Sequence, residues 1–267
     1  MAILHAYFDD SGDDKRERCM AVGGLIGSDA QFTALDSLWS SATTNLSEPF
    51  RSTECETQQG QFSSWDKGAC DDLMKRLVGI IQQIEVVGFG SIVPVMDYRS
   101  VFSDAHEYDP HFLALRHALI NVACVGAVSR GDTLGTIGIR ICCEDSTTTS
   151  NREKKIYDEL KDFAGWRWGK AFVGFSTASK ELMALQAADL IAREAYKHAV
   201  NRGVRPTRKP VKVLHQLLSF HLWTRPALEY LRDAGGPSSL EALTGWGQSA
   251  IKPPQILRFS GTTFDLA

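Results

Sequence analysis

"HAYFDDSGDD", residues 5–14, sets the reading of the whole chain. Residues 3–9 have the composition of a buried strand, yet that strand runs out into four aspartates arranged around a Ser-Gly pair. Asp, Ser and Gly are turn formers, so a solvated turn accounts for them in one way. A cation-binding site at the end of a strand accounts for them in another. The choice depends on whether further carboxylates, distant in sequence, also stand where a carboxylate is costly.

The bulk properties narrow the field first. A chain of 267 residues, 43% hydrophobic and 23% charged, has the makeup of an ordinary globular protein with a sizeable core. Its net charge of −3 gives no global field toward nucleic acid or membrane, so any polyanion site must be local. "MAILHAYFDD" lacks a basic leader, and no window reaches the roughly 18 apolar residues of a membrane span. Cys19, Cys55, Cys70, Cys124, Cys142 and Cys143 form no C-x-x-C pair, which points to reduced thiols in a cytoplasmic protein rather than zinc or disulfides.

Working outward, residues 18–27 read as a hairpin partner of the 3–9 strand. Leu35, Leu38, Trp39, Ala42 and Leu46 recur at helical spacing behind Ser28-Asp29, a good N-cap region. Residues 47–63 look like a polar loop, and a helix follows from about 65 to 83. The segment 85–95 reads as a strand, 110–129 as a helix opened by Pro110, and 136–144 as a strand. A helix over 150–163, a short strand at 171–176 and a long helix over 180–200 complete the domain. This is an α/β architecture with a mixed sheet, spanning residues 1–201. Residues 202–267 then form a basic linker and a helical extension packed on the same domain, with helices read at 213–223, 226–235 and 239–246.

The long helix carries the informative anomaly. Leu182, Leu185, Asp189, Ala192 and Tyr196 lie at i, i+3, i+7, i+10 and i+14, which puts Asp189 on the apolar face with Gln186 beside it. A buried lone carboxylate costs several kcal/mol unless it is paired or bound to metal. A pairing with a buried arginine, or the capping of a neighbouring loop, would also satisfy it. The strand "IGIRICCE" ends in a second acidic pair, Glu144-Asp145. Strand ends are where α/β proteins place their chemistry, although acidic turns there also serve solubility.

Mg²⁺ or Mn²⁺ would account for all three acidic positions, since hard ions take oxygen ligands. Two such ions about 4 Å apart can polarise a phosphodiester and generate the attacking hydroxide. Rival motifs fit less well. An EF-hand starting at Asp9 would need Gly and Glu where the chain has Asp14 and Met20. There is no P-loop and no dinucleotide fingerprint, and Ser11 has no base at triad spacing. An actin-like ATPase would need a second Gly-rich phosphate loop that the sequence lacks.

"YFDDSG" resembles the Y-I-D-E-S-G opening of the domain-of-unknown-function 3800 family, and "LQAADLIA" resembles its L-Q-x-A-D-x-I-A helix. The two motifs stand at the family's usual separation, and the resemblance covers residues 1 to about 200. It implies a ribonuclease H-like fold with a carboxylate cluster suggestive of a metal-dependent nuclease. Asp9 and Asp189 match the motif aspartates, and Glu144, with Asp145 as the alternative, matches the middle-strand acid. Asp10 stands for the family's glutamate and faces away from Asp9, so it is expected behind the ligands and is a possible additional acid. Ser11 and Gln186 are expected to support the ligands. Glu54, the candidate fourth acid of the cluster, resembles an acidic segment before the first long helix, without the histidine that often accompanies it.

Residues 193–212 carry seven Lys/Arg against one Glu. Arg193, Lys197, Arg202, Arg205, Arg208 and Lys209 are the candidates to meet a DNA or RNA backbone, and a solvated basic loop is the alternative. The sequence therefore leads to a metal-dependent nuclease or phosphodiesterase using Asp9, Glu144 and Asp189. Its competitor is a catalytically idle scaffold of the same fold, with protein partners or a second copy of itself. The expected geometry has the 3–9 strand central, paired to 18–27, close to 137–143, and Asp9 near Asp189. Replacing Asp9 or Asp189 by Asn is expected to preserve or raise metal-free stability, with Asp13 and Asp14 merely solvating the turn.

Overall fold

In chain order the strands are β1 Ala2–Gly12, β2 Cys19–Ser28, β3 Val87–Pro94, β4 Ile137–Glu144, β5 Phe172–Ala178, β6 Leu218–Leu222 and the two-residue β7 Ile256–Leu257. The helices are α1 Asp29–Ala42, α2 Ser52–Thr57, α3 Lys67–Ile84, α4 Val95–Val101 and α5 Pro110–Val128. They continue with α6 Ser150–Asp162, α7 Met183–Asn201, α8 Lys209–Val213, α9 Arg225–Asp233 and α10 Leu240–Gly245. This computed structural model describes residues 2–13, 15, 17–102, 109–128, 137–146, 149–245 and 256–257. Asp14 and most residues after 245 lie outside the described residues.

All seven strands join one sheet in the order β5-β4-β1-β2-β3-β6-β7. β1 is interior, antiparallel to β2 and parallel to β4 with Ala2 beside Ile137 and Phe8 beside Cys143. β2 runs against β3, while β4 and β5, and β3 and β6, are parallel pairs. This is a mixed α/β sheet flanked by helices, with the first strand where the opening stretch requires it.

Alternation along β1 assigns its two faces. Leu4, Ala6 and Phe8 are buried in a core shared with α5, α6 and α9. Tyr7, one step out of phase, packs into the core of α1, α3 and α7. Asp9 continues the odd positions toward α7, and Asp10 the even positions toward α5 and α6. α5 is apolar around most of its circumference, as a helix wedged deep in a core must be, with Phe112–Leu115 and Ala118–Ile120 buried. α1 starts on a capping box in which Ser28 Oγ accepts from Gln31 N, and Gln31 answers to the Ser28 backbone.

Helix α7 comes unusually close to the sheet. A Cβ built on Gly23 would stand 2.4 Å from Ala192 Cα, so only glycine fits beneath the helix there. Gly23 is the register partner of Asp9, and Ala192 lies three residues beyond Asp189. The small residues thus lower α7 directly over the acid end of β1.

Three expectations are corrected. The polar loop at 47–63 contains α2 and a 3₁₀ turn at Gly60–Phe62, with Phe50, Ser52, Cys55 and Phe62 fully buried. The helix expected over 213–223 is instead β6 from Leu218 onward. Leu218, Phe220 and Leu222 alternate with Ser219 and His221, a strand pattern only five residues long behind residues at helical spacing, and pairing with β3's edge decides its form. The C-terminal extension therefore supplies β6 and the two-residue β7 as well as helices. Finally, α4 follows β3 in a segment to which no element had been assigned. All six cysteines are free, and among the described residues no helix is long and apolar enough to cross a membrane.

Candidate functional site

Asp9 reaches the end of β1 on the α7 face, Asp189 faces it from the first turns of α7, and Glu144 closes β4 alongside. Their common partner is a residue that sequence reasoning missed. Lys180, in the turn between β5 and α7, places its Nζ 2.8 Å from Asp9 Oδ2, 2.7 Å from Asp189 Oδ1 and 3.5 Å from Glu144 Oε2. Asp9 and Asp189 therefore approach within the sum of the first two distances, as expected. Lys180, Asp9 and Asp189 are all buried, whereas the Glu144 side chain is 28% exposed and marks the mouth of the cluster.

Each member is held from behind. Ser52, at the start of α2, donates its backbone N–H at 2.7 Å and its hydroxyl to Asp189 Oδ2. Asp9 Oδ1 accepts from the Asp10 N–H at 2.7 Å, while Asp9 Oδ2 meets Lys180 as an ion pair and has no aligned hydrogen bond. Gln186 accepts from Trp39 Nε1 and Phe50 N, and its Nε2 donates to the Lys180 carbonyl at 2.8 Å. It thereby fixes the backbone from which the lysine side chain projects.

The electrostatics separate the two aspartates. Burial works to raise Asp189, but the Lys180 ammonium and the Ser52 donors outweigh it and hold the carboxyl below its ordinary value. Burial dominates at Asp9 and, with the nearby charges of Asp189 and Glu144, pushes it well above the usual range despite Lys180. Burial also works to lower Lys180, and the surrounding carboxylates raise it instead. Three carboxylates share one buried ammonium, and Arg51 stands 4.0 Å from Glu144 Oε1 on the exposed side.

The remaining sequence candidates separate cleanly. Asp145 is exposed and accepts from Ser150 Oγ at 3.2 Å, so the middle-strand acid at the cluster is Glu144. Asp10 opens on the other face, where a cavity of about 20 Å³ is lined by Asp10, His111, Cys143 and Glu153 and reaches Asp9 and Glu144. There His111 Nε2 stands 3.5 Å from Glu153 Oε1. Burial works to lower His111, but Glu153 and Asp10 prevail and raise it. Ser11 pairs opposite Ala21 in the sheet ladder. Glu54 turns its carboxylate toward Gly60, so that a Cβ on that glycine would lie 2.5 Å from Oε2. Asp13 accepts from Glu17 N and Arg18 N, closing the turn after β1.

The basic run divides in two. Arg193 gives Glu56 two hydrogen bonds, at 2.9 and 2.7 Å, and Lys197 stands 3.3 Å from the same carboxylate. Arg208 bridges Glu56 and the fully buried Glu194. These three cations brace α2 against α7 and α8, while Arg202, Arg205 and Lys209 are exposed.

The donor set suits a hard divalent ion: three carboxylates, with one buried oxygen lacking a hydrogen bond. Among the described residues, however, no three His, Cys, Asp or Glu side chains stand ready around a metal position, because Lys180 occupies the centre.

No family model matches the chain, and no curated protein matches it either. Among solved structures, it is similar to ribonuclease HII in its complex with PCNA from Archaeoglobus fulgidus. The identity is 11% and the TM-score 0.39, over 79% of this chain and 85% of that one. It is also similar to Bst ribonuclease HIII in complex with Mn²⁺, at 12% identity and TM-score 0.39, over 76% of this chain and 56% of that one.

Proposed function

We propose that this chain is a divalent-metal-dependent nuclease or phosphodiesterase, with Asp9, Glu144 and Asp189 as catalytic, metal-holding residues and Mg²⁺ or Mn²⁺ as cofactor. One observation carries the reading: carboxylates from β1, β4 and α7 converge on a single cation at the strand ends. A divalent ion there supplies Lewis acidity toward a phosphodiester and an activated water. The chain's own residues position the donors. Ser52 fixes Asp189 Oδ2 and leaves Oδ1 facing the cluster, while the Asp10 N–H fixes Asp9 Oδ1 and leaves Oδ2 inward. The resemblance to the domain-of-unknown-function 3800 family belongs to the same proposal, as does a cytoplasmic location.

Nucleic acid, DNA or RNA, is the proposed substrate. Arg202, Arg205 and Lys209 are proposed to meet its backbone, with Arg193, Lys197 and Arg208 bracing the surface from beneath. Labelled single- and double-stranded DNA and RNA incubated with Mg²⁺, Mn²⁺ or EDTA test the reading. Cleavage should require metal, vanish in Asp9→Asn and persist in Asp145→Asn. If none of the four substrates is cut in either metal, the nuclease reading falls.

A second reading has its own observation: Lys180 already supplies a cation at the point of convergence. In that reading the protein is a catalytically idle scaffold, and millimolar metal leaves its thermal stability unchanged.

A further inference from the structure

The lysine at the centre is unusual in its setting. It lies in the Ser179–Leu182 turn, yet is buried, and its ammonium touches the oxygens of Asp9 and Asp189 that face the cluster. A divalent ion taking those oxygens at about 2.1 Å could not share the position with an ammonium, because both sterics and like charge forbid it. Gln186 holds the Lys180 carbonyl, so the backbone can stay in place while four methylenes swing. Glu144, on the exposed side and already 3.5 Å from Nζ, offers the departing ammonium a partner at the mouth.

We propose that Lys180 is a tethered counter-ion: it holds Asp9 and Asp189 together in the metal-free protein and is expelled toward solvent when a divalent ion enters. The proposal rests on the metal-site reading above and adds its regulation. Metal binding becomes an exchange of one cation for another, so apparent affinity is set by the lysine as well as by the carboxylates. The arrangement also lets the fold persist without metal, because the cluster is never left wholly uncompensated.

Two measurements with MnCl₂ as the probe, neither reading cleavage, test this. The first follows the loss of free Mn²⁺ resonance on titration into wild type, Lys180→Met and Asp9→Asn in metal-stripped buffer. Lys180→Met should bind Mn²⁺ more tightly than wild type by about tenfold or more, the scale of one close charge removed. Equal binding by wild type and Lys180→Met, lost in Asp9→Asn, overturns the role of Lys180 and leaves the metal site standing. Absence of binding in both overturns the exchange and the metal site together.

The second measurement uses wild type alone and holds even if Lys180→Met does not fold. Amine acetylation followed by peptide mass spectrometry should find Lys180 protected without metal and several-fold more labelled with saturating Mn²⁺. The exposed Lys209 serves as the internal reference. Labelling of Lys180 that does not respond to Mn²⁺ overturns the proposal.

Discussion

At the scale of single residues, Asp9 and Asp189 share a cluster but not an energetic role. Asp189 is served by Lys180 and twice by Ser52, whereas at Asp9 burial, with Asp189 and Glu144 nearby, outweighs Lys180 and raises the carboxyl. The structure therefore splits the expectation that either could become Asn without cost in metal-free buffer. Asp189→Asn leaves a buried ammonium short of its best partner and should lower unfolding free energy by about 2–4 kcal/mol. Asp9→Asn should leave it unchanged or raise it. Urea denaturation in EDTA measures both, and equal losses would show that the two acids are equivalent. Asp9, Glu144 and Asp189 were legible in sequence because each breaks a local pattern: two end apolar strands and one interrupts an apolar helix face. Lys180 breaks none. A lysine in a polar turn is expected in water, and its three acidic partners come from elements that only the fold assembles. Arg193 and Arg208 were legible as charges and not as struts, since Glu56 lies 137 and 152 residues away from them.

At the scale of elements, the site depends on how closely one helix approaches one strand. Gly23 and Ala192 bring α7 down onto β2, and the same approach brings Asp189 to Asp9. Gly23→Val must push the helix outward or distort the strand. Overpacking of this kind costs about 1–3 kcal/mol or more. The variant should lose that stability and also release Lys180 to amine acetylation without metal, because its two best partners separate. Stability loss with Lys180 still protected would mean that the helix tilts without opening the cluster. The small residues of "AVGGLIG" and "LQAADLIA" were visible in the sequence, and the hairpin, α1, α5 and α7 follow from periodicity and caps. β6 does not. Leu218, Phe220 and Leu222 alternate with Ser219 and His221, but Val213, Leu214, Leu217 and Leu218 just before them stand at helical spacing, and it is the edge of β3 that makes the segment a strand.

At the scale of the whole molecule, groups far from the cluster govern the response to acid. His117 and His221 lie with ring centroids 4.0 Å apart in the core, against Trp223. Burial holds His221 down to about 3 from an ordinary 6.5, and burial with the neighbouring His221 lowers His117 as well. The unfolded chain therefore takes up these protons first, and stability present above 6.5 is lost as pH falls toward 3. Glu56 adds a lower window. Burial works to raise it, but Arg208 and Arg193 hold it at about 2 against an ordinary 4.5, so its contribution disappears as pH falls between those values. His111 opposes both, because Glu153 and Asp10 raise it and favour the folded state once protonated. Difference curves separate the first two. Against wild type, His221→Phe should flatten the stability–pH profile from 6.5 downward, and Glu56→Gln only below 4.5. A His221→Phe curve parallel to wild type through that upper window would show that His221 does not carry the acid sensitivity.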